Sequence, residues 1–486
     1  MTPRTRQGLA LLGAAITLGF AADALASLVP GRLDVALGLG VLVLVLVALG
    51  QLGAVALPGA LAPLGAPLAL LALALIWRDS PTLFALNLAG VVTVATLAAP
   101  RLRAVGRRRA GLGDYALGAA ELGGAAVAGA PALVFTDIDW ASLPVEGRAR
   151  RARGTAIGLA AATPVAVVFG GLLMQADPVF GRLLGGALDF QVEPFVSHIA
   201  RVLLWGWLAA GLLRLLARAT SAPAPWPLRG GAFGLSEVGP VLAVVNLLFL
   251  AFVAVQFRYL FGGAELVRGL TGLSYAEYAR RGFFELVTVA ALSLPLLLLA
   301  DWSLDQRDAG RVRRLRLLAG LMLLLLDVML ASALIRMRLY TVEYGLTELR
   351  LYTTAFMGWL VIVFGWFGAT VLRGKRERFG TGALLAGWLV LGALNLINPD
   401  GVIAGVNLAR AASGRPFDTV YAAELSADAL PTFRRGLPAL ATNEACAAAA
   451  GLEERWHAEL ATRTRWTIAL ARTPREPIGC GATRAR

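Results

Sequence analysis

The residues best suited to chemistry gather in two short stretches, LSYAEYARRGFFEL at 273–286 and RLYTVEYGLTELRLY at 338–352. Arg280, Arg281, Arg338 and Arg350 offer planar guanidinium forks that grip phosphate or carboxylate oxygens in pairs. Glu277, Glu343 and Glu348, with Tyr340 and Tyr344, stand at spacings that could hold those forks in place. Three chemistries fit. The cluster pairs with itself and anchors helix ends at a membrane interface, with its tyrosines as an aromatic belt. Alternatively it binds an anionic group, such as a lipid phosphate or an envelope precursor. In the third, a carboxylate such as Glu343 or Glu348 serves as base in a transfer to a lipid-linked substrate.

Other chemistries are nearly closed. The chain holds two histidines, His198 and His457, and two cysteines, Cys446 and Cys480. It has no HExxH, CxxC, Walker, GxSxG or GxGxxG pattern, so no metal site and no cofactor are expected. The formal charge of +14 comes almost wholly from arginine in short loops, where it sets orientation, so nucleic acid is not an expected partner.

The elements that must position these residues are membrane helices. Of 486 residues, 58% are hydrophobic and 16% charged, mean hydropathy is +0.70, and apolar runs near 20 residues recur. We expect an all-α polytopic bundle of about eleven spans at residues 8–29, 34–50, 60–77, 83–99, 155–174, 199–217, 238–260, 284–301, 317–335, 351–372 and 379–397. The count is ten if the first is a signal cleaved after Ala26. The expected organisation is a four-span region at 1–100, a basic loop at 101–154 and a seven-span core at 155–397, followed by a small helical extracytoplasmic tail at 398–486.

Loop charge sets the orientation. Residues 101–153 carry nine arginines against five acids, and DQRDAGRVRRLR and RGKRER fall on the same side. The bias puts the N-terminus inside and the C-terminus outside a bacterial cytoplasmic membrane. The run YALGAAELGGAAVAGAPALVF at 115–135 is long enough to span, but it carries Glu121; we read it as a helix on or near the cytoplasmic surface. With that topology both polar stretches, and NPDGVIAGVNLAR at 398–410, converge on the outer face. Ser274 and Glu277 form a capping box, and Thr347 with Glu348 reads as a helix start. Asp327, inside the ninth span, is costly unless it faces other helices, and so is a candidate functional residue. Asn246 and Asn395 read as interhelical hydrogen bonders, His198 as an interfacial residue. Cys446 and Cys480 are a disulfide candidate in an oxidising compartment.

The stretches ADPVFGRLL, YAEYARRGFFEL, YGLTELRLYT, NPDGVIAGVNLAR and ELSADALP resemble those of a family of bacterial multi-spanning membrane proteins catalogued as domains of unknown function. The resemblance covers about residues 150–435. It implies an integral membrane protein and lends no catalytic residue.

Three functions fit these readings. The first is a non-enzymatic envelope scaffold or sensor, whose outer cluster and tail bind an anionic lipid or an envelope protein. The others are a transporter or flippase, for which no convincing internal repeat is found, and an envelope transferase.

Overall fold

The structure, a computed structural model, describes residues 2–29, 31–53, 59–143, 192–217, 235–271, 283–303, 308–440, 442–462 and 466–472. These residues are helical with no β-strand, and nine of their helices are long and apolar enough to cross a membrane. The protein is an all-α polytopic membrane bundle. The expected span at 155–174, with Arg280, Arg281, Glu277 and the Ser274 capping box, lies outside the described residues.

In chain order the helices are α1 (Pro3–Leu28), α2 (Leu33–Gln51), α3 (Gly65–Trp77), α4 (Pro81–Leu97), the short α5 (Pro100–Val105) and α6 (Leu112–Ala132). Then come α7 (Val192–Ala217), α8 (Leu235–Thr271), α9 (Phe283–Ser303), α10 (Ala309–Tyr344), α11 (Glu348–Thr370) and α12 (Phe379–Ile397). Five helices of the tail follow: α13 (Pro399–Ala412), α14 (Thr419–Glu424), α15 (Leu430–Gly436), α16 (Thr442–Thr462) and α17 (Ile468–Ala471). The expected span at 317–335 is the centre of α10, whose 36 residues extend beyond a bilayer. Polar flanks, invisible to a hydropathy window, continue that helix on both sides.

Polar contacts sort the helix ends into two sets. At one end Asp301 of α9 pairs with Arg376 at 3.4 Å, Arg103 donates to the Leu215 carbonyl of α7 at 3.2 Å, and Tyr115 meets Thr381 of α12 at 3.1 Å. Arg311, Arg313, Arg314 and Arg316 at the start of α10, with Arg373, Lys375 and Arg378, lie at this basic end. At the opposite end meet the α1–α2, α3–α4, α10–α11 and α12–α13 links.

This sorting places α6. Its start is tied to the basic end through Asp114 and Arg101 at 2.8 Å. The π-turn that continues it finishes there too, where Asp137 accepts from Arg4 at 2.7 Å and Arg214 at 2.5 Å. Both ends of α6 therefore lie at the basic end, although length and composition alone would let it span, and its middle packs on α7, where Trp207 donates to the Ala126 carbonyl at 3.0 Å. It crosses α7 where Gly129 meets Gly211, and a Cβ on either glycine would run into the other helix's backbone. Small residues thus carry the contact.

Asn246 donates to the Leu318 carbonyl of α10 at 3.0 Å, and Asn395 and Asn87 exchange amide hydrogen bonds at 3.0 and 3.1 Å. These side chains fasten helices from within, where lipid supplies no competing partner.

The main core lies between α8, α9, α10, α11 and α12, around Met322, Leu326, Phe364 and Phe367. A second core joins Leu83, Leu351 and Leu394 of the bundle to Ile403, Phe433 and Leu452 of the tail. The expected tail domain is therefore not cored separately. Three of its helices, α14, α15 and α17, have seven residues or fewer, and the tail completes its hydrophobic stripe against the ends of α4, α11 and α12.

Candidate functional site

Three loops meet where the tail joins the bundle, and each leads into a helix with a proline in its first turn. In WRDSP, Ser80 caps α4 with Pro81 in its first turn. In NPDG, Asn398 caps α13 from a left-handed backbone at φ 56°, accepting from the Gly401 amide at 3.1 Å, with Pro399 first in the helix. In ELSADALP, Ser426 precedes the turn into α15. Helix starts collect acids because their free amides and dipole favour negative charge.

Here those acids reach into each other's loops. Asp428 accepts from the backbone amides of Asp79 at 2.5 Å and Ser80 at 3.2 Å, while Asp79 accepts from the amide of Ala427 at 3.2 Å. Each aspartate thus caps the other's loop. Asp400 takes the Ser426 amide at 3.2 Å and also the Ser426 hydroxyl. Asp79, Asp400 and Asp428 are all buried, the first two to 0% exposure, so leaving them unpaired would cost several kcal/mol each.

Two arginines supply the countercharge. Arg32 approaches Asp79 at 3.8 Å and stacks on Phe84. Arg78 faces Asp428 at 3.4 Å, and it donates to the α12 carbonyls of Asn395 at 2.8 Å and Leu396 at 3.2 Å. The latter contacts satisfy helix-terminal acceptors that have no partner within α12. Burial still pushes the Asp428 carboxyl above its usual range, against the lowering by the Asp79 amide and Arg78. Glu348 brings its carboxyl to those of Asp400 and to the Thr82 hydroxyl.

Of the residues expected to form an outer cluster, Glu277, Arg280 and Arg281 lie outside the described residues, while Tyr340, Glu343, Tyr344, Glu348 and Arg350 meet near this joint and are spent on it. Arg350 stacks on Tyr340 at 4.0 Å and donates to the α10 carbonyls of Tyr344, at 3.2 Å, and Gly345. Tyr340 and Tyr344 meet edge to face at 5.1 Å. Gly345 has φ 82°, and a Cβ there would come 2.7 Å from Asn407 Oδ1, so glycine is required twice over. Asn407 accepts from the Leu346 amide and donates to its carbonyl, both at 2.8 Å. Arg410 donates to the carbonyls of Val342 at 3.0 Å and Glu343 at 2.6 Å. The Glu343 carboxylate pairs with Arg415 at 2.8 Å. Thr347 sits at the N-cap of α11 without a side-chain cap bond; the Glu348 amide donates instead to the Tyr421 hydroxyl at 2.8 Å. Burial pushes that phenol up to about 12. Arg338 is exposed, apart from these contacts.

Other expectations changed. Asp327 does not face the helix interior: its residue is exposed on the side of α10 that also presents Leu317, Leu324 and Ile335. Spacing along one helix does not reveal which stripe its neighbours leave open. His198 contacts Asp23 of α1 at 2.7 Å, beside Arg201. Cys446 is disulfide-bonded, and Cys480 lies outside the described residues. No group of three metal-ligating side chains occurs among the described residues.

The residues missed in the sequence are Arg32, Arg78, Asp79, Ser426 and Asp428 as partners, although NPDG and ELSADALP were noticed. An acid and a proline at three inter-helix loops was the available signal, and nothing in it says which loops meet. No curated protein and no solved structure matches the chain. A family model does, over residues 65–436, from the start of α3 through the end of α15. It spans all three acidic loops, and the chain belongs to the family described as Domain of unknown function (DUF4153).

Proposed function

We propose that this protein is a non-enzymatic membrane scaffold that holds its helical tail rigidly on the outer end of the bundle, for recognition by an envelope partner. The observation that carries this is the reciprocal Asp79–Asp428 lock with Asp400 and Ser426. A tail that shares a core and buried charges with the bundle moves as one body with it. The carboxylates and guanidiniums that a transferase would need are engaged in helix-end contacts: Glu343 with Arg415, and Arg350 with α10. The basic end is cytoplasmic by the positive-inside bias, in a bacterial cytoplasmic membrane, with the tail outside.

Val420 of α14, 72% exposed, is the position for the test. A Cys there should react with a membrane-impermeant maleimide in intact cells; reaction only after lysis reverses the orientation. A photo-crosslinking side chain at the same position should give one discrete adduct, lost in D428A while the protein stays in the membrane. A smear, or no adduct, refutes the scaffold.

One observation favours lipid transport as a second reading. A cavity of about 560 Å³ runs between α4, α11 and α12, from Thr82 and Tyr352 near the tail to Tyr115 near the basic end. Its walls, among them Leu86, Phe356, Trp359 and Leu391, are apolar. Reconstituted protein that moves a fluorescent lipid between leaflets would favour this reading over the scaffold.

A further inference from the structure

We infer that a cleft at the basic end, between α11 and α12, is a binding site for an anionic phospholipid. The cleft encloses about 1000 Å³ and lies apart from the lock and from the outer cluster. Its mouth carries Arg108 and Arg109, from the loop before α6, and Arg378, from the turn before α12. All three are exposed, and none makes a side-chain hydrogen bond or ion pair among the described residues. Glu377 is the acid among the lining residues, so three guanidiniums face one carboxylate.

The wall is of the opposite character. Ile362 on α11 and Leu385 and Leu389 on α12 line the cleft and are 42%, 55% and 67% exposed. From Thr381 to Leu389 the wall extends roughly 12 Å along the helix axis, away from the arginines and toward the membrane centre. Trp366 separates the two zones. Its indole donates to the Arg378 carbonyl at 3.2 Å, and it lies so close on Gly382 that a Cβ there would enter the ring. A tryptophan at that height marks the level of the lipid headgroups.

A phosphate at the mouth would receive guanidinium forks with no ion pair to break. The ester chains of the same molecule would cover the exposed Leu385 and Leu389. Free phosphate would satisfy the arginines but leave that wall uncovered, and a zwitterionic lipid would bring its own cation to a site already basic. Basic pockets between helices on the cytoplasmic side are suited to such headgroups.

Native mass spectrometry of the full chain in detergent tests this, with phosphatidylglycerol and phosphatidylcholine of identical acyl chains as probes. The expected result is at least tenfold preferential retention of phosphatidylglycerol. R108Q/R109Q/R378Q should bring it to the phosphatidylcholine level, each guanidinium being worth roughly fivefold. L385N/L389N should lower retention with the arginines intact, and unchanged melting will show that both variants fold. Equal retention of the two lipids, or a triple variant that keeps its preference, overturns the proposal. So does displacement of the lipid by millimolar inorganic phosphate, which would make the site one for the free ion.

Discussion

The two ends of the bundle handle charge in opposite ways. At the tail end Asp79, Asp400 and Asp428 are buried, and their oxygens accept from amides, a hydroxyl and arginines across three loops. At the basic end Arg108, Arg109 and Arg378 are exposed without side-chain partners among the described residues. Buried charge is tolerated only when paired, and its geometry then becomes part of the fold. Exposed charge costs the fold little, and it stays free to meet a lipid.

Breaking the lock should have the largest effect. D428A leaves two amides without their acceptor and Arg78 without its carboxylate partner, and we expect a loss of about 3–5 kcal/mol, read as a lowered denaturation midpoint in detergent. A loss under about 1 kcal/mol would mean that the joint is not what holds the tail. F433A should cost a similar amount, about 3–5 kcal/mol, because Phe433 fills the core shared by tail and bundle. If F433A loosened the tail alone, seen as new proteolysis after residue 398 with the bundle's melting unchanged, the shared core would be refuted.

How far the sequence foretold these two ends differs for each. The basic end was legible, because arginines in loops obey a charge rule that needs no knowledge of packing. Glu121 and many small residues marked 115–135 as a helix on or near that surface, and the polar contacts of both its ends lie at the basic end. The tail end was half legible. Arg350, Tyr340, Tyr344 and Glu343 were expected together, and they are together. Their role in closing the end of α10 was not visible, since carbonyl acceptors carry no sequence signal. Arg78 and Asp428, 350 positions apart, could be paired only once the fold had brought them together.

Acidity sharpens the comparison further. The folded Asp428 carboxyl titrates above its usual range, so the native state holds the proton more tightly than the unfolded chain does. That contribution is fully present below the ordinary carboxylate value of about 4. It is lost as pH rises through the raised one. Melting temperature should therefore fall as pH is raised across that window, with a shallower slope in D428N, where nothing titrates. An equal slope in both would assign the effect to other groups.

Smaller effects are expected within the helices and at the exposed pair. In a double-mutant cycle, Asn87 and Asn395 should couple by about 0.6 to 1.7 kcal/mol; zero coupling would mean that their paired amides contribute nothing net. Glu343 and Arg415, at 45% and 44% exposure, should couple by less than about 1 kcal/mol and weaken in salt. R108Q and R109Q should change stability by no more than about 0.5 kcal/mol. A larger loss in either arginine variant would show the basic end to be structural and erase the contrast between the ends.

Composition and charge distribution by themselves determined that this chain is a helical membrane bundle, where most helices lie, and which end is basic. Those properties follow from transfer free energy and electrostatics summed over local sequence. The tertiary structure decided that both ends of α6 tie to one end of the bundle, that Asp327 is exposed on α10, and that three acidic loops close on one another. Each depends on which surfaces meet, and contacts between residues hundreds of positions apart are fixed by packing rather than by any local pattern.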